Sequence, residues 1–245
     1  MNDVIKTILN HRSIRRYKSD PIPDEILDTM IQCAQMAPSS INGQQVSIVI
    51  VKDQMRKEQL MRLSSNQAFI AEAPVFLIFC ADFYRAHLAC KKYGKTLLAT
   101  DSLDSTLVGA IDVGLAMQNA ITAAESLGLG TCPIGGVRRN PSEISRLLNL
   151  PDYVFPLCGL VVGYPNEDPE IKPRLPKDAV AFEETYNPDI APLIDRYDET
   201  MKNYMLRRTG GQNASDWSSK IAARYSQPTD RHIRVEMAKK GFKND

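Results

Sequence analysis

The stretch Ala37-Pro38-Ser39-Ser40-Ile41-Asn42-Gly43-Gln44-Gln45 runs straight into Val46-Ser47-Ile48-Val49-Ile50-Val51. The second half is β-branched and reads as a buried strand. The first half is short, polar and rich in side-chain amides. Asn and Gln offer both a donor and an acceptor, so such a loop can hydrogen-bond the edge of a heteroaromatic ring. Glycine within it allows close backbone approach. An ordinary connecting loop is the equal alternative.

Upstream, residues 24–36 have helical periodicity, with Ile26, Leu27, Met30, Ile31 and Ala34 on one face and Asp24 and Glu25 at the N-terminal dipole. Val4, Ile5, Ile8 and Leu9 space as a first short helix. Downstream, Pro74–Ala81 reads as a second strand. Residues 102–127 form the longest helical candidate, with small residues at Gly109, Ala110, Gly114, Ala116 and Ala120, and Gly128 and Gly130 to stop it. Thr131–Ile134 is a short strand, Pro141–Leu148 starts like a helix, and Val154–Val162 is the last clear strand. Helices with interspersed strands, and no strict β-α-β alternation, point to an α+β fold.

The chain has 245 residues, enough for one large domain or a domain with an extended arm. Hydrophobic residues make up 43% and charged residues 24%, which excludes disorder for the bulk of the chain. Thirty Lys and Arg against 29 Asp and Glu leave +1, so no overall field draws nucleic acid or anionic membrane. No apolar run is read as long enough to span a bilayer, and Met1-Asn2-Asp3 opens no signal core, so the expected location is cytoplasmic. Cys33, Cys80, Cys90, Cys132 and Cys158 are odd in number, spread out and without a CxxC pair. Reduced thiols are expected, and no metal site. After Tyr164 prolines become dense, and beyond Asp189 the chain turns helical and polar. Residues 1–189 are therefore read as the main domain and 190–245 as a helical extension, packed on that domain or on a partner chain.

Four clusters carry candidate chemistry. His11-Arg12-Ser13-Ile14-Arg15-Arg16 places three guanidiniums and a hydroxyl at a helix end, a set that suits phosphate. Alone it reads as a solvated basic helix end. The amide loop is the second. Gly135-Gly136, after a strand, offers backbone N–H groups to an anion or ring. Lys172-Pro173-Arg174 holds two cations in a stiff extended segment that can close on one phosphate; alone it reads as a solvated linker. The chain has no GxGxxG, GxSxG, HExxH or P-loop lysine.

Taken together, HRSIRRY, PSSINGQQ, IGGVRRNP and KPRLP, in that order and over this length, resemble the nitroreductase superfamily of FMN enzymes. The likeness is greatest to the NADPH-dependent branch that includes oxygen-insensitive nitroreductases and flavin reductases. The resemblance implies an α+β fold with a central, mostly antiparallel sheet flanked by helices. It also implies an intertwined homodimer, with FMN at the interface and the extension 190–245 reaching over the partner subunit.

It further implies that Arg12, Ser13, Lys172 and Arg174 hold the FMN phosphate and ribityl chain, with His11 lining the same site. Arg15 falls at the pyrimidine edge of the flavin, Gln67 at its N3/O4 edge, and Ile134, Gly135 and Gly136 beside its dimethylbenzene and N5 side. Ser39, Ser40, Asn42 and Gln44 lie across the ring and the ribityl chain. Arg208 and Arg231 face the pocket mouth, where NADPH would bind. No side chain is assigned as an acid–base catalyst.

The implied activity is ping-pong hydride transfer from NADPH, or alternatively NADH, to quinones, nitroaromatics or free flavin; a dedicated flavin reductase is the close alternative. PSSINGQQ resembles more closely the loop of the other, NAD(P)H-using branch, in which Pro usually stands where this chain has Gln45, and Pro133 stands where an aromatic residue is common; both bear on nucleotide and acceptor range. A different class, a nucleic-acid-binding protein using the basic residues of 207–240, is opposed by the near-zero net charge and by Asp216, Asp230 and Glu236.

Overall fold

A computed structural model describes residues 1–228 and 232–243. In chain order the elements are α1 (Asp3–Leu9), α2 (Asp24–Gln35), β1 (Val46–Val51), α3 (Gln54–Leu63), α4 (Phe69–Glu72), β2 (Val75–Asp82), α5 (Tyr84–Lys92), α6 (Leu103–Ser126), β3 (Gly130–Ile134), α7 (Pro141–Leu147), β4 (Val154–Gly163), α8 (Ala191–Arg208), α9 (Trp217–Tyr225) and α10 (Ile233–Ala238). The expected strands and long helix are present. Helices α3, α4 and α5 were not read from the sequence: each is short and buries at most two residues.

The strands form one sheet in the order β1-β2-β4-β3, each neighbouring pair antiparallel. Strand β2 is buried at every position because both of its faces are covered. Its alternation splits it between two cores. Phe76, Ile78 and Cys80 join Leu60 of α3, Ile70 of α4 and Ile144 of α7. Val75, Leu77 and Phe79 join Leu27 and Met30 of α2 and Val113, Ala116 and Ala120 of α6.

Strand β1 corrects one expectation. It lies at an edge, with only Val51 buried and Ile50 exposed. Its β-branched residues report fitness for a pleated surface, not a central place in the sheet. Helix α6 corrects another: by length and composition it would pass for a membrane span. Its inner face packs instead in the second core, where Gly109 lies so close to β2 and Phe83 that a Cβ would meet the Phe83 ring at 3.0 Å.

The chain divides into two compact units, residues 1–169 with 231–245, and residues 170–230. In the second unit Leu175 packs with Tyr197, Met201, Tyr204 and Trp217 on α8 and α9. The Tyr197 hydroxyl donates to the Pro173 carbonyl at 2.8 Å. In the first unit, Met237 of α10 and Phe242 enter a third core with Phe83, Leu97 and Phe155. Two apolar residues in a polar tail decide where it docks, and average composition does not register them.

Candidate active site

The basic segment is laid along the outer edge of the sheet. Ser13 forms a parallel bridge with Thr131 of β3, and the Ile14 N–H donates to the Thr131 carbonyl at 2.9 Å. Ile14 and Tyr17 anchor it in the first core. The Tyr17 hydroxyl donates to the Ile14 carbonyl at 2.6 Å, and burial pushes its pKa far above the ordinary phenol range. With the apolar side chains turned inward, the polar ones line the edge. Acidic residues steady them. His11 Nδ1 lies 2.7 Å from Glu125 Oε1. The Arg12 guanidinium pairs with Asp168. Glu167 accepts from the N–H groups of Arg15 at 2.5 Å and Arg16 at 3.1 Å. The Arg15 side chain is exposed and donates only a long bond, 3.3 Å, to the Ser13 carbonyl.

Strand β3 then delivers Ile134, Gly135 and Gly136 to the same edge. Gly136 has a packing reason: a Cβ there would sit 2.4 Å from the Ser64 carbonyl oxygen. That close approach brings in the turn after α3, where Ser65 and Asn66 have positive φ and Gln67 donates from Nε2 to the Ser64 carbonyl at 3.1 Å. Lys57 fixes the far side of this turn. Its buried ammonium donates to the Ala73 carbonyl at 2.5 Å, and burial lowers its pKa. His11, Arg12, Ser13, Arg15, Gln67, Ile134, Gly135 and Gly136 therefore share one region of the fold.

The amide loop lies elsewhere. Ser39, Ser40, Asn42 and Gln44 precede β1, the opposite edge of the sheet from β3. Three strand spacings, about 14 Å, separate the two edges. Ile41, Asn42 and Gln44 all have positive φ, between 49° and 56°. Each costs about 1–2 kcal/mol relative to right-handed backbone, and such strain concentrates at functional sites. Gly43 is not one of them, against the expectation from its freedom: its φ is −72°. A Cβ there would lie 2.5 Å from the Gln45 side-chain amide, which would have to shift. Among the described residues, buried Gln45 has no partner for Oε1, and buried Asp112 of α6 accepts from the Ser40 N–H at 3.3 Å while its Oδ2 has none. The loop borders a cavity of about 530 Å³ shared with Arg85 and Asp112. Pro133 is exposed on β3, where an edge strand tolerates a missing N–H.

In the second unit, Lys172 and Arg174 flank Pro173 on the segment docked to α8. Burial raises the Tyr197 phenol while nearby Arg174 opposes it. Arg208 ends α8 and donates to the Tyr204 hydroxyl at 3.3 Å. Arg231 lies outside the described residues. Sequence reasoning missed Glu125, Glu167, Asp168 and Arg85, which contact the candidate residues from distant positions and belong to no motif.

The family model described as nitroreductase family matches residues 8–164. The chain belongs to the nitroreductase family. A second model, the C-terminal domain of nitroreductase family members, matches residues 172–245. Among curated nitroreductase-family relatives, a Bacillus subtilis protein named FMN reductase [NAD(P)H] is 49% identical, with 99% of each chain covered. The solved structure of B. megaterium NfrA2 superimposes with a TM-score of 0.98 at 51% identity over both full chains. The NADPH:FMN oxidoreductase from Vibrio harveyi, solved in complex with NAD+, does so with 0.91 at 36% identity, again over the whole of both chains.

Proposed function

We propose that this nitroreductase-family chain is an FMN-dependent NADPH oxidoreductase that reduces quinones, nitroaromatics or free flavin by a ping-pong mechanism. The observation that carries the reading is the gathering of cations, a hydroxyl, a Gly-Gly turn and an amide on the β3 edge. That donor set fits FMN. Arg12 and Ser13 match a phosphate, for which guanidinium forks and hydroxyls are the natural partners. Lys172 and Arg174 are assigned to the same phosphate. Gln67 matches a pyrimidine edge that both donates and accepts. Arg15 sets a fixed positive charge at that edge, where electron density collects on reduction. His11 lines the site beside them.

When bound, FMN supplies the two-electron hydride chemistry; the protein supplies position and electrostatics. One pocket that admits the nucleotide and then the acceptor accounts for ping-pong order. The amide loop, about 14 Å away on the opposite edge, cannot flank the same ring in one chain. In a homodimer the loop of the partner completes the site. Apolar residues of α6 agree with this: Leu103, Leu107, Ile111 and Leu115 form an exposed stripe at four-residue spacing, Ile111 being 60% exposed. The five free thiols accord with a cytoplasmic location, where reduced nicotinamide nucleotides are made.

A nucleic-acid-binding role gains no support. Arg207 faces Glu170, Lys239 faces Glu236, Lys240 faces Asp152 and Lys243 faces Asp101, so these basic residues of the tail meet carboxylates. Purified protein should be yellow, oxidise NADPH with quinone, nitroaromatic or free FMN, and give parallel double-reciprocal lines. A colourless protein that takes up no FMN would overturn the reading. Arg208 and Arg231 are assigned to the 2′-phosphate of NADPH. Arg208→Ala should raise the KM for NADPH about 5- to 150-fold at low salt, the equivalent of about 1–3 kcal/mol, and leave NADH nearly unchanged. Equal losses with both nucleotides would assign Arg208 to pocket shape instead.

A further inference from the structure

Three left-handed residues in an exposed loop need a restraint. Arg85, in the first turn of α5, provides one. Its Nη2 donates to the Gln44 carbonyl at 2.7 Å and to the Val46 carbonyl at 2.5 Å. Its Nη1 donates to Ser47 Oγ at 3.1 Å and lies 3.2 Å from Asp82 Oδ2. Asp82 is buried at the end of β2. It accepts from the Ser47 hydroxyl at 2.5 Å and from the Tyr84 N–H at 2.8 Å, which fixes the start of α5. A planar fork reaches these acceptors together; an ammonium cannot.

We propose that Arg85, oriented by Asp82, is a positioning residue for the flavin: it clamps the Gln44 carbonyl and so holds the Ser39–Gln44 loop in the conformation that meets the ring. The inference rests on the FMN reading above. Without the clamp the left-handed residues relax, and the fraction of loop competent to bind falls. Apparent affinity falls by the same factor. Backbone pairing carries β1 and β2, and α5 adds only the partly buried Ala86 and Cys90 to the third core.

The loop is assigned to the ring and Arg12 with Ser13 to the phosphate, so FMN and riboflavin separate the two roles. Dissociation constants are read by flavin fluorescence on the full-length protein, beside the visible spectrum of the bound flavin and the melting temperature without flavin. Arg85→Ala should weaken FMN and riboflavin equally, by about tenfold or more, blur the fine structure of the flavin band and lower the melting temperature, because buried Asp82 loses its cation. Arg12→Ala should weaken FMN alone. Arg85→Lys and Ser47→Ala should give intermediate losses, and they carry the test if Arg85→Ala does not fold. Parental affinity in Arg85→Ala, or in both milder variants if they must stand in, would overturn the inference, as would a loss confined to FMN. A parent that binds neither flavin would overturn the functional reading itself.

Discussion

Cys80 shows how burial sets chemistry at a single residue. It sits in the middle of the sheet, and desolvation, with Asp82 adding and Lys240 opposing, pushes its thiol up to about 12 from 9.0. The folded thiol therefore keeps its proton where the unfolded one loses it. Its contribution to stability is full below about pH 9 and is lost as the pH rises towards 12, at about 1.4 kcal/mol per pH unit. Cys132 and Cys158 are raised by burial in the same direction. The urea midpoint should fall between pH 8 and pH 10.5, and fall less in Cys80→Ala. Identical pH slopes in the two proteins would remove this assignment. Buried Cys80 should also resist alkylation at pH 8, because the thiolate is the nucleophile.

Among the elements, α6 does two jobs with two faces. Its inner face, from Gly109 through Val113, Ala116 and Ala120 to Ala124, is small and close-packed. Its outer face carries the exposed Leu103, Leu107, Ile111 and Leu115, and at Gly114 a Cβ would meet nothing within 4 Å. Periodicity located the helix, but an apolar residue scores alike whether it faces a core or a partner. Ile111→Glu puts a charge at the centre of the outer stripe and leaves the inner face untouched. Sedimentation should then report a monomer with parental helix content and reduced flavin retention. An intact dimer would place the interface elsewhere.

For the molecule as a whole, division of the site between opposite sheet edges makes a prediction that no single variant tests. Arg12→Ala damages the β3 edge, and Gly43→Val damages the loop by driving a side chain into the Gln45 amide. Each homodimer should lose FMN at a concentration the parent retains. Co-expression of the two chains should restore it, because a hybrid dimer pairs one sound edge with one sound loop, in roughly a quarter of all sites. No recovery in verified hybrids would mean that each chain builds its site alone.

Local chemistry made much of this legible before any coordinates. Strands and the long helix follow from the alternation of β-branched residues and from apolar spacing, which are properties of neighbours along the chain. The residue types at Arg12, Ser13, Asn42 and Gln44 suit phosphate and ring-edge partners, because charge and hydrogen-bonding capacity belong to the side chain wherever it lies, but only the family resemblance assigned them those roles. Edge or centre for β1 depended on which strands it met. The return of Met237 and Phe242 to the first unit depended on a cavity formed by Phe83, Leu97 and Phe155. The separation of Asn42 from Arg12, and the clamp of Arg85 on Gln44, arose when antiparallel pairing set distant segments side by side. These are contacts between residues far apart in sequence, and their energy exists only once the chain has closed its loops and excluded water from between them.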